Sequence, residues 1–522
     1  MYTDIMADNQ EKVDVYKVPT VHEPSVKDLA SIAHNNGLHF RDGELEELQG
    51  YISQTLVRRY QTVNDLIAPT LPVRYPRTPG YRPEPEDNLC NAWYWKCDIK
   101  GAAEGIMKGK TVGVKDNICV AGVPMMNGSR VMEGFVPDID ATVITKVLDA
   151  GGRIIGKTNC EHLCYGGTSW TNDTGPALNP HDKTRVSGGS SSGCAVAVCN
   201  GEVDVAIGAD QGGSIRSPAS WCGVVGLKPT WGLVPYTGAV AMEITIDHLG
   251  PMARNAYDCA LLLEVIAGYD NGLDPRQPRD LQVPKYTDYL DGNIEGWKIG
   301  LLSEGFTGCD DDVQAVVRGA AETLWKAGAV VEDVSIPLHT HGIAIWQPIM
   351  TNGAYRCMFT GNGVGHHYKG YYAESMMTKL SQGYKMDARH LSEPVKSAVL
   401  FAEYIEKNYG NRFYGRAQNL NMKLTQAYDD ALSTYDVIVM PTLPFTAPLL
   451  PSSKSSITER LENAFGMFKN TAPFDSTGHP AITVNAGKSN GLPVGMMIVG
   501  KRFEDVKVLQ AAYALEKLQL QN

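Results

Sequence analysis

From about residue 105 onward, short apolar segments typical of β-strands alternate with amphipathic segments typical of α-helices. This alternation constrains the fold more than any other feature of the sequence. Residues 110–117 and 153–159 predict strands, and residues 141–152 between them predict a helix. The pattern repeats with a helix over 194–200 and a strand over 203–210. Such a chain is expected to be an α/β protein with a large sheet flanked by helices.

The rest of the chain extends this body and adds a prefix to it. Further elements are predicted as helices over 253–268, 310–327 and 506–518 and as strands over 298–304, 435–444 and 492–500. We expect three parts: residues 1–68 as a tail with a small α-helical unit (helices over 26–36 and 43–66), residues 69–90 as a Pro-rich connector, and residues 91–522 as the catalytic domain. Residues 340–430 show weaker patterning and more aromatic side chains.

Composition excludes several classes of partner. The formal net charge is −11, which argues against a nucleic-acid partner, because binding to phosphates needs clustered Lys and Arg. No apolar run approaches the ~20 residues of a membrane-spanning helix, and the polar, acidic start does not resemble a signal peptide. Eleven cysteines spread thinly along the chain fit reduced thiols in the cytoplasm. We therefore expect a cytoplasmic protein without nucleic-acid or membrane partners.

One segment resembles a nucleotide-binding loop but lacks the required context. Residues 151–158 (GGRIIGKT) match the phosphate-loop pattern, which needs a strand before it and a helix after it. Here a predicted helix precedes the match and a strand lies within it, so no helix N-terminus would face a phosphate. A turn between helix and strand accounts for the segment better.

Two clusters rich in Gly and Ser, residues 187–193 and 210–216, are the strongest candidates for a site. The first precedes a small-residue helix, and the second follows an apolar strand. A flexible loop is the alternative for either cluster alone. However, the run Gln211-Gly212-Gly213-Ser214 offers successive backbone N–H groups that can surround a developing oxyanion next to a nucleophilic serine.

A nucleophilic serine needs a base, and the twelve histidines do not supply an obvious one. His162 lies in a stretch with helical patterning, where packing or capping is the commoner role, and the pair His366-His367 is expected at the surface. The remaining candidate is Lys115, made neutral by burial, because it ends an apolar strand where sites form in α/β folds. A surface lysine is the alternative for this residue taken alone.

Taken together, these residues resemble the amidase signature family of serine hydrolases. The resemblance covers roughly residues 70–520 and is closest to nitrile-hydratase-associated amidases of broad specificity. Its motifs are GVKDN (113–117), GGSSSG (188–193), DQGGSIRSPASWCG (210–223), GLKPTWGLVPYTG (226–238), TIDHLGP (245–251), PTLP (441–444), TGHPAITVNAG (477–487) and GLPVGMMIVG (491–500).

The resemblance implies the amidase signature fold, a large mixed sheet flanked by helices, and a catalytic triad. Ser214 would be the nucleophile, Lys115 the general base, and Ser190 the residue that bridges them, with a cis peptide bond between Gly189 and Ser190. The N–H groups of Gln211, Gly212, Gly213 and Ser214 would form the oxyanion hole.

Other residues are carried over as a substrate-binding group. Ser191 would support the triad, and Cys164 would offer its backbone carbonyl to the substrate nitrogen. Arg216 could meet a substrate carboxylate, although an ion pair with Asp210 is the favoured alternative. The remaining candidates for the pocket are Gly166, Trp170, Trp231 and Phe474.

The predicted activity is hydrolysis of a small-molecule amide to a carboxylate and ammonia or an amine through an acyl-enzyme. A carbamate or ester hydrolase on the same triad stays open, as does the amidase-like component of a tRNA-dependent amidotransferase. A binding scaffold with an inactive site is a further alternative. No metal or cofactor is expected, because no Cys/His cluster has zinc-ligand spacing. A homodimer is expected.

Overall fold

The computed structural model describes residues 21–363 and 368–521. The predicted N-terminal tail, up to residue 20, and the pair His366-His367 lie outside the described residues. The chain divides into two compact units, Met1–Leu71 and Pro72–Asn522. The predicted limits of the connector and of the catalytic domain stay predictions.

The N-terminal unit is helical, as predicted. It contains α1 (Val26–Asn35), whose N-cap Ser25 forms a capping box with Asp28. A second, continuous helical stretch runs through α2 (Glu44–Tyr51), a π-helical segment (Ile52–Val57) and α3 (Arg58–Asp65).

The larger unit is built on a mixed sheet, and among the described residues this sheet has eleven strands in the order β1-β3-β2-β6-β8-β7-β12-β13-β11-β9-β10. A separate pair, β4 and β5, forms a small hairpin. The strands are β1 (Trp93–Lys100), β2 (Thr111–Lys115), β3 (Arg153–Thr158), β4 (Leu178–Asn179), β5 (Asp182–Val186), β6 (Val205–Asp210), β7 (Val225–Lys228), β8 (His248–Ala253), β9 (Lys298–Leu302), β10 (Val330–Val334), β11 (Val437–Pro441), β12 (Ala481–Ser489) and β13 (Leu492–Val499).

Helices flank this sheet, which confirms the predicted fold class. They are α4 (Thr142–Asp149), α5 (Ser192–Cys199), α6 (Arg216–Cys222), α7 (Ala256–Ile266), α8 (Ser303–Phe306), α9 (Asp311–Lys326), α10 (Gly342–Ala354), α11 (Glu374–Asp387), α12 (Glu393–Tyr409), α13 (Arg412–Leu432), α14 (Ile457–Phe465), α15 (Ala472–Thr477) and α16 (Asp505–Gln519). Helix α4, a glycine turn and β3 follow one another as expected for residues 141–159, which excludes the phosphate-loop geometry.

The strands β2, β3 and β6 place the candidate residues at one edge of the sheet. β2 pairs in parallel with both β3 and β6. The carboxyl ends of parallel neighbours meet at the same edge. Lys115, at the end of β2, therefore lies beside the loop that follows β6, and this loop carries Ser214.

Residues 337–432, here called the helical segment, are predominantly helical where described. They comprise a 3₁₀ turn (Pro337–His341), α10, a π-helical turn (Tyr355–Phe359), α11, a 3₁₀ turn (Ala388–His390), α12 and α13. The sequence pattern here is weak because each helix buries only a narrow stripe. On α12, for example, the buried residues are Pro394, Val395, Ala398 and Ala402.

No helix of the described part is both long and apolar enough to cross a bilayer.

Candidate active site

Lys115 lies at the centre of the site and is fully buried. Its Nζ is 2.8 Å from Ser190 Oγ and 3.2 Å from the carbonyl oxygen of Ala209. The structure thus excludes the surface lysine that was the alternative for this position, and it brings together two residues that are 75 positions apart in the chain.

The backbone around Ser190 is held from both sides. The peptide bond between Gly189 and Ser190 is cis, as predicted. Gly189 donates its N–H to the carbonyl of Gly167 at 2.8 Å, and the Ser190 carbonyl accepts from the N–H of Glu161 at 3.2 Å. The Gly/Ser cluster is therefore an anchored loop and not a flexible one.

Ser191 joins the two serine loops. Its N–H donates to the Ser214 carbonyl at 3.1 Å. Its hydroxyl donates to the Ala209 carbonyl at 3.0 Å and accepts from the Ala209 N–H at 3.2 Å. Ser191 thus supports the triad and does not face a substrate. The described hydrogen bonds include none between the hydroxyls of Ser190 and Ser214, so this step of the relay belongs to the proposal below.

Three of the four predicted oxyanion donors are free. Within the described residues, the main-chain N–H groups of Gln211, Gly212 and Ser214 donate to no protein acceptor. The N–H of Gly213 donates to Asp210 Oδ1 at 2.5 Å, so its predicted place in the oxyanion hole needs correction. The N–H geometry that the sequence led us to expect is thus reduced to three donors.

The peptide groups of this loop are oriented by two residues that the sequence analysis missed. Trp346 Nε1 donates to the carbonyl of Gln211 at 2.8 Å, and Thr471 Oγ1 donates to the carbonyl of Gly212 at 2.6 Å. In a trans peptide the carbonyl and the following N–H point in opposite directions. Trp346 therefore sets the direction of the Gly212 N–H. No local motif marks either residue, because each reaches the loop from a distant segment.

Arg216 does not reach a substrate, and its predicted role as a binding residue was wrong. It is fully buried and forms ion pairs with Asp210 at 3.0 Å and with Asp475 at 2.6 Å. Burial alone would raise the pKa of Asp210, but the Arg216 charge and hydrogen bonds outweigh it and hold that pKa well below its usual range. The favoured alternative, an ion pair with Asp210, is confirmed.

Phe474 and Trp170 have different surroundings from those predicted for a shared pocket. Phe474 is fully buried in the core, with its ring centroid 4.7 Å from that of Tyr428, so its role in the substrate pocket was wrong. Trp170 is half-buried and donates its indole N–H to Asn463 Oδ1 at 3.1 Å. The structure leaves its predicted contact with substrate untested, as it does for Trp231.

Gly166 faces a buried carboxylate that sequence reasoning missed. A Cβ on Gly166 would lie 3.3 Å from Glu161 Oε2, so a side chain here would press on that group. Burial raises the pKa of Glu161 to about 7, although hydrogen bonds from Ser169, Thr171 and Thr168 oppose the change. Glu161 thus organises the loop beside Ser190.

Cys164 lies next to the triad through its thiol. Its Sγ is 3.2 Å from Asn127 Oδ1. Burial opposes ionisation of this thiol, but Cys160, the Lys115 charge and hydrogen bonds with Ser190 and Lys115 together lower its pKa. The sequence analysis assigned a role only to its backbone carbonyl, which remains a prediction.

Within the described ranges, no group of three or more His, Cys, Asp and Glu side chains could hold a metal ion. The arrangement therefore offers a buried amine, two serines and a set of free N–H donors, which together suit acyl transfer.

Comparisons with known proteins agree with this chemistry. A family model described as Amidase matches residues 84–509. An enantioselective amidase from Rhodococcus rhodochrous is 42% identical over 481 residues, which is 91% of each chain. The amidase-like component of a glutamyl-tRNA(Gln) amidotransferase from Methanosarcina acetivorans is 37% identical over 433 residues, covering 81% of this chain and 87% of that one. The structure of native peptide amidase from Stenotrophomonas maltophilia matches with 29% identity and a TM-score of 0.65, covering 79% of this chain and 83% of that one.

Proposed function

The chain belongs to the amidase signature family and is an amide hydrolase, and we propose that it cleaves small-molecule carboxylic amides through an acyl-enzyme on Ser214. The observation that carries this proposal is the 2.8 Å contact between Lys115 Nζ and Ser190 Oγ at the edge of the sheet. The Ser190 hydroxyl can donate as well as accept, so the contact suits a neutral amine that acts as a base.

In the proposed reaction, neutral Lys115 takes the proton of Ser190 while Ser190 takes the proton of Ser214. Ser214 Oγ then attacks the amide carbonyl, and the N–H groups of Gln211, Gly212 and Ser214 stabilise the tetrahedral oxyanion. The proton returns from Lys115 through Ser190 to the leaving nitrogen, and the C–N bond breaks.

Water completes the cycle by the same relay. It loses a proton toward Ser190 and Lys115, attacks the acyl group, and releases the carboxylate. Ser214 recovers its proton in this step, and Lys115 is neutral again. The buried position of all three side chains supports the scheme, because the relay is separated from bulk water.

The substrate class rests on the relatives. The Rhodococcus relative, similar over nine-tenths of each chain, is described as an enantioselective amidase. We therefore propose a single small amide as substrate, with ammonia or an amine as the leaving group.

The test is to assay the isolated chain with small aliphatic and aromatic amides and with matched esters and carbamates. We expect ammonia release from the amides, labelling by a fluorophosphonate probe, and a fall in kcat/KM of about 10³-fold or more in Ser214→Ala. Ser217→Ala is the matched control, because this buried hydroxyl in the next helix makes no hydrogen bond to a described residue.

Each failure of this test has a distinct meaning. Full activity in Ser214→Ala would contradict the acyl-enzyme scheme. Hydrolysis of carbamates or esters alone would move the substrate class. A chain that is inactive until partner proteins are added would favour a component of an amidotransferase, the role that the Methanosarcina relative is described as having.

We further propose a cytoplasmic homodimer. All eleven cysteines are free thiols, which supports a reducing compartment. Exposed apolar side chains of the N-terminal unit, such as Tyr60, Val63 and Ile67, offer a surface that a second copy could cover. Light scattering of the purified chain tests the dimer, which a monomer at all concentrations would exclude.

A further inference from the structure

A second cavity, of about 400 Å³, lies at the N-terminus of α12 and includes none of the triad residues. Its walls come from the loop after β3, from the start of α12 and from the chain around residue 452. The residues that line it are His162, Trp170, Thr171, Asp173, Leu391, Ser392, Glu393, Pro451, Ser452, Ser453 and Arg460.

His162 is the unusual member of this wall. It is fully buried, yet neither ring nitrogen makes a hydrogen bond to a described residue. Its Nδ1 lies 3.7 Å from Asp173 Oδ1, and its Nε2 has no described partner. Burying an unpaired polar group is costly, so a buried imidazole that lines a cavity calls for a ligand atom there.

The start of α12 presents further donors to the same cavity. The N-cap residue Ser392 makes no capping hydrogen bond with its side chain, and its Oγ has no described partner. The first bond of the helix runs from the N–H of Lys396 to the Ser392 carbonyl. The N–H groups before it have no acceptor within the helix, so this end carries the partial positive charge of a helix that is 17 residues long.

The charged residues of the wall are already paired with one another. Arg460 holds Glu393 through two hydrogen bonds of 2.6 and 2.5 Å, and Asp173 accepts from the main-chain N–H of Arg130 at 2.8 Å. What remains unpaired is a set of donors, namely the His162 imidazole, the Ser392 hydroxyl and the first turn of the helix. This set suits one anionic group that accepts hydrogen bonds.

The other part of the wall is apolar and gives the ligand its second property. Trp170, Leu391 and Pro451 line the cavity beside these donors. A ligand that fills the space would therefore combine one anionic head with a small apolar body.

We propose that this cavity binds a small monocarboxylate with an aromatic or aliphatic body, held by His162, Ser392 and the N-terminus of α12. The site is separate from the acyl-transfer centre and does not depend on the proposed role of Ser214. A carboxylic acid of this kind is also the product class of an amidase, so the site gives the enzyme a place to sense its product.

The experiment measures binding of 4-fluorobenzoate by ¹⁹F NMR to the full chain carrying Ser214→Ala, which prevents turnover. Ser392→Asp is the decisive further change. Aspartate is a good N-cap, so the helix keeps its stability, but the added negative charge repels a carboxylate. Ser25→Asp is the matched control, because Ser25 is the N-cap of α1 in the other unit. His162→Gln tests the imidazole separately.

We expect the dissociation constant for 4-fluorobenzoate to rise about tenfold or more in Ser392→Asp and in His162→Gln. Ser25→Asp should leave it unchanged, and the melting temperature of Ser392→Asp should not fall. Two further probes separate the sources of binding: neutral 4-fluorobenzamide lacks the charge, and inorganic phosphate lacks the apolar body, so both should bind the Ser392-dependent site weakly. An unchanged dissociation constant in Ser392→Asp would overturn the proposal, as would benzamide or phosphate binding there as well as benzoate.

Discussion

The two catalytic loops, residues 188–193 and 210–216, differ sharply from the helical segment in how they use their side chains. Every residue of the loops is buried, and their polar groups are linked by hydrogen bonds to each other and to Asp210, Thr471 and Trp346. In the helical segment only narrow stripes are buried, and side chains such as Leu400 and Phe401 are exposed.

The difference teaches where function and stability reside in this molecule. A buried polar loop tolerates little change, because any lost partner leaves an unsatisfied group. An amphipathic helix tolerates change on its outer face, since only its inner stripe carries packing energy. Four substitution experiments test this contrast.

The largest effect should come from two buried lysines on neighbouring strands. Lys115→Met should lower kcat/KM by about 10³-fold or more while changing the free energy of unfolding by only about 1–2 kcal/mol, because it removes a proposed base and no ion pair. Lys157→Met should instead destabilise by about 3–5 kcal/mol, because Lys157 lies 3.2 Å from the buried Asp116 and its loss leaves that carboxyl unpaired.

Enzyme assays and urea unfolding of both variants measure these effects. The contrast fails if Lys115→Met keeps its activity, or if the two variants lose stability equally.

The next effect concerns pH and falls on the helical segment. Burial lowers the pKa of His339 from 6.5 to about 4, against hydrogen bonding with Asn470. The unfolded chain binds a proton at a higher pH than the folded chain, so stability is complete above pH 6.5 and falls by up to about 3 kcal/mol as pH drops toward 4. His339→Gln should remove this acid-side loss.

The check is to measure the free energy of unfolding of wild type and His339→Gln between pH 4 and 8. Exposed His341 provides the control variant, His341→Gln. Parallel curves for wild type and His339→Gln would contradict the assignment.

A smaller effect is expected where the two regions meet. Trp346→Phe keeps a ring against Gly212 but removes the hydrogen bond to the Gln211 carbonyl. We expect kcat to fall about tenfold with little change in KM, because the Gly212 N–H is no longer fixed toward the oxyanion. Trp325→Phe, at an exposed tryptophan of α9, should have no effect. A change in KM alone would assign Trp346 to substrate binding instead.

The smallest effect should come from the outer face of α12. Phe401→Ser, at a half-exposed position, should change the free energy of unfolding by less than about 0.5 kcal/mol. Ala402→Ser, one residue later and fully buried, should cost about 1–3 kcal/mol because the hydroxyl has no room or partner. Thermal unfolding compares the two, and equal losses would break the contrast between the faces.

Much of the fold was predictable where the chain alternates. The predicted strand and helix over residues 141–159 match α4 and β3, because strong periodicity decides such elements locally. The sequence analysis did not identify strands β1, β7, β8, β10 and β12. Several of these are short or carry Gly, Pro or charge, so pairing with neighbours decides their structure.

The site shows the same division. Lys115, Ser190 and Ser191 were found from strand ends, loop composition and family motifs, and the structure places them in direct hydrogen-bond contact. Arg216 and Phe474 were misplaced, because a sequence motif does not reveal which way a side chain points from a loop.

The sequence by itself determined the α/β class, the family and the set of reactive side chains, since strand periodicity and contiguous motifs are local properties of a chain. Only the tertiary structure decided that the Gly213 N–H is used by Asp210, that Arg216 is enclosed by two carboxylates, and that Trp346 orients the loop. These are contacts between segments far apart in sequence. Their partners are selected by packing in three dimensions, which no local pattern encodes.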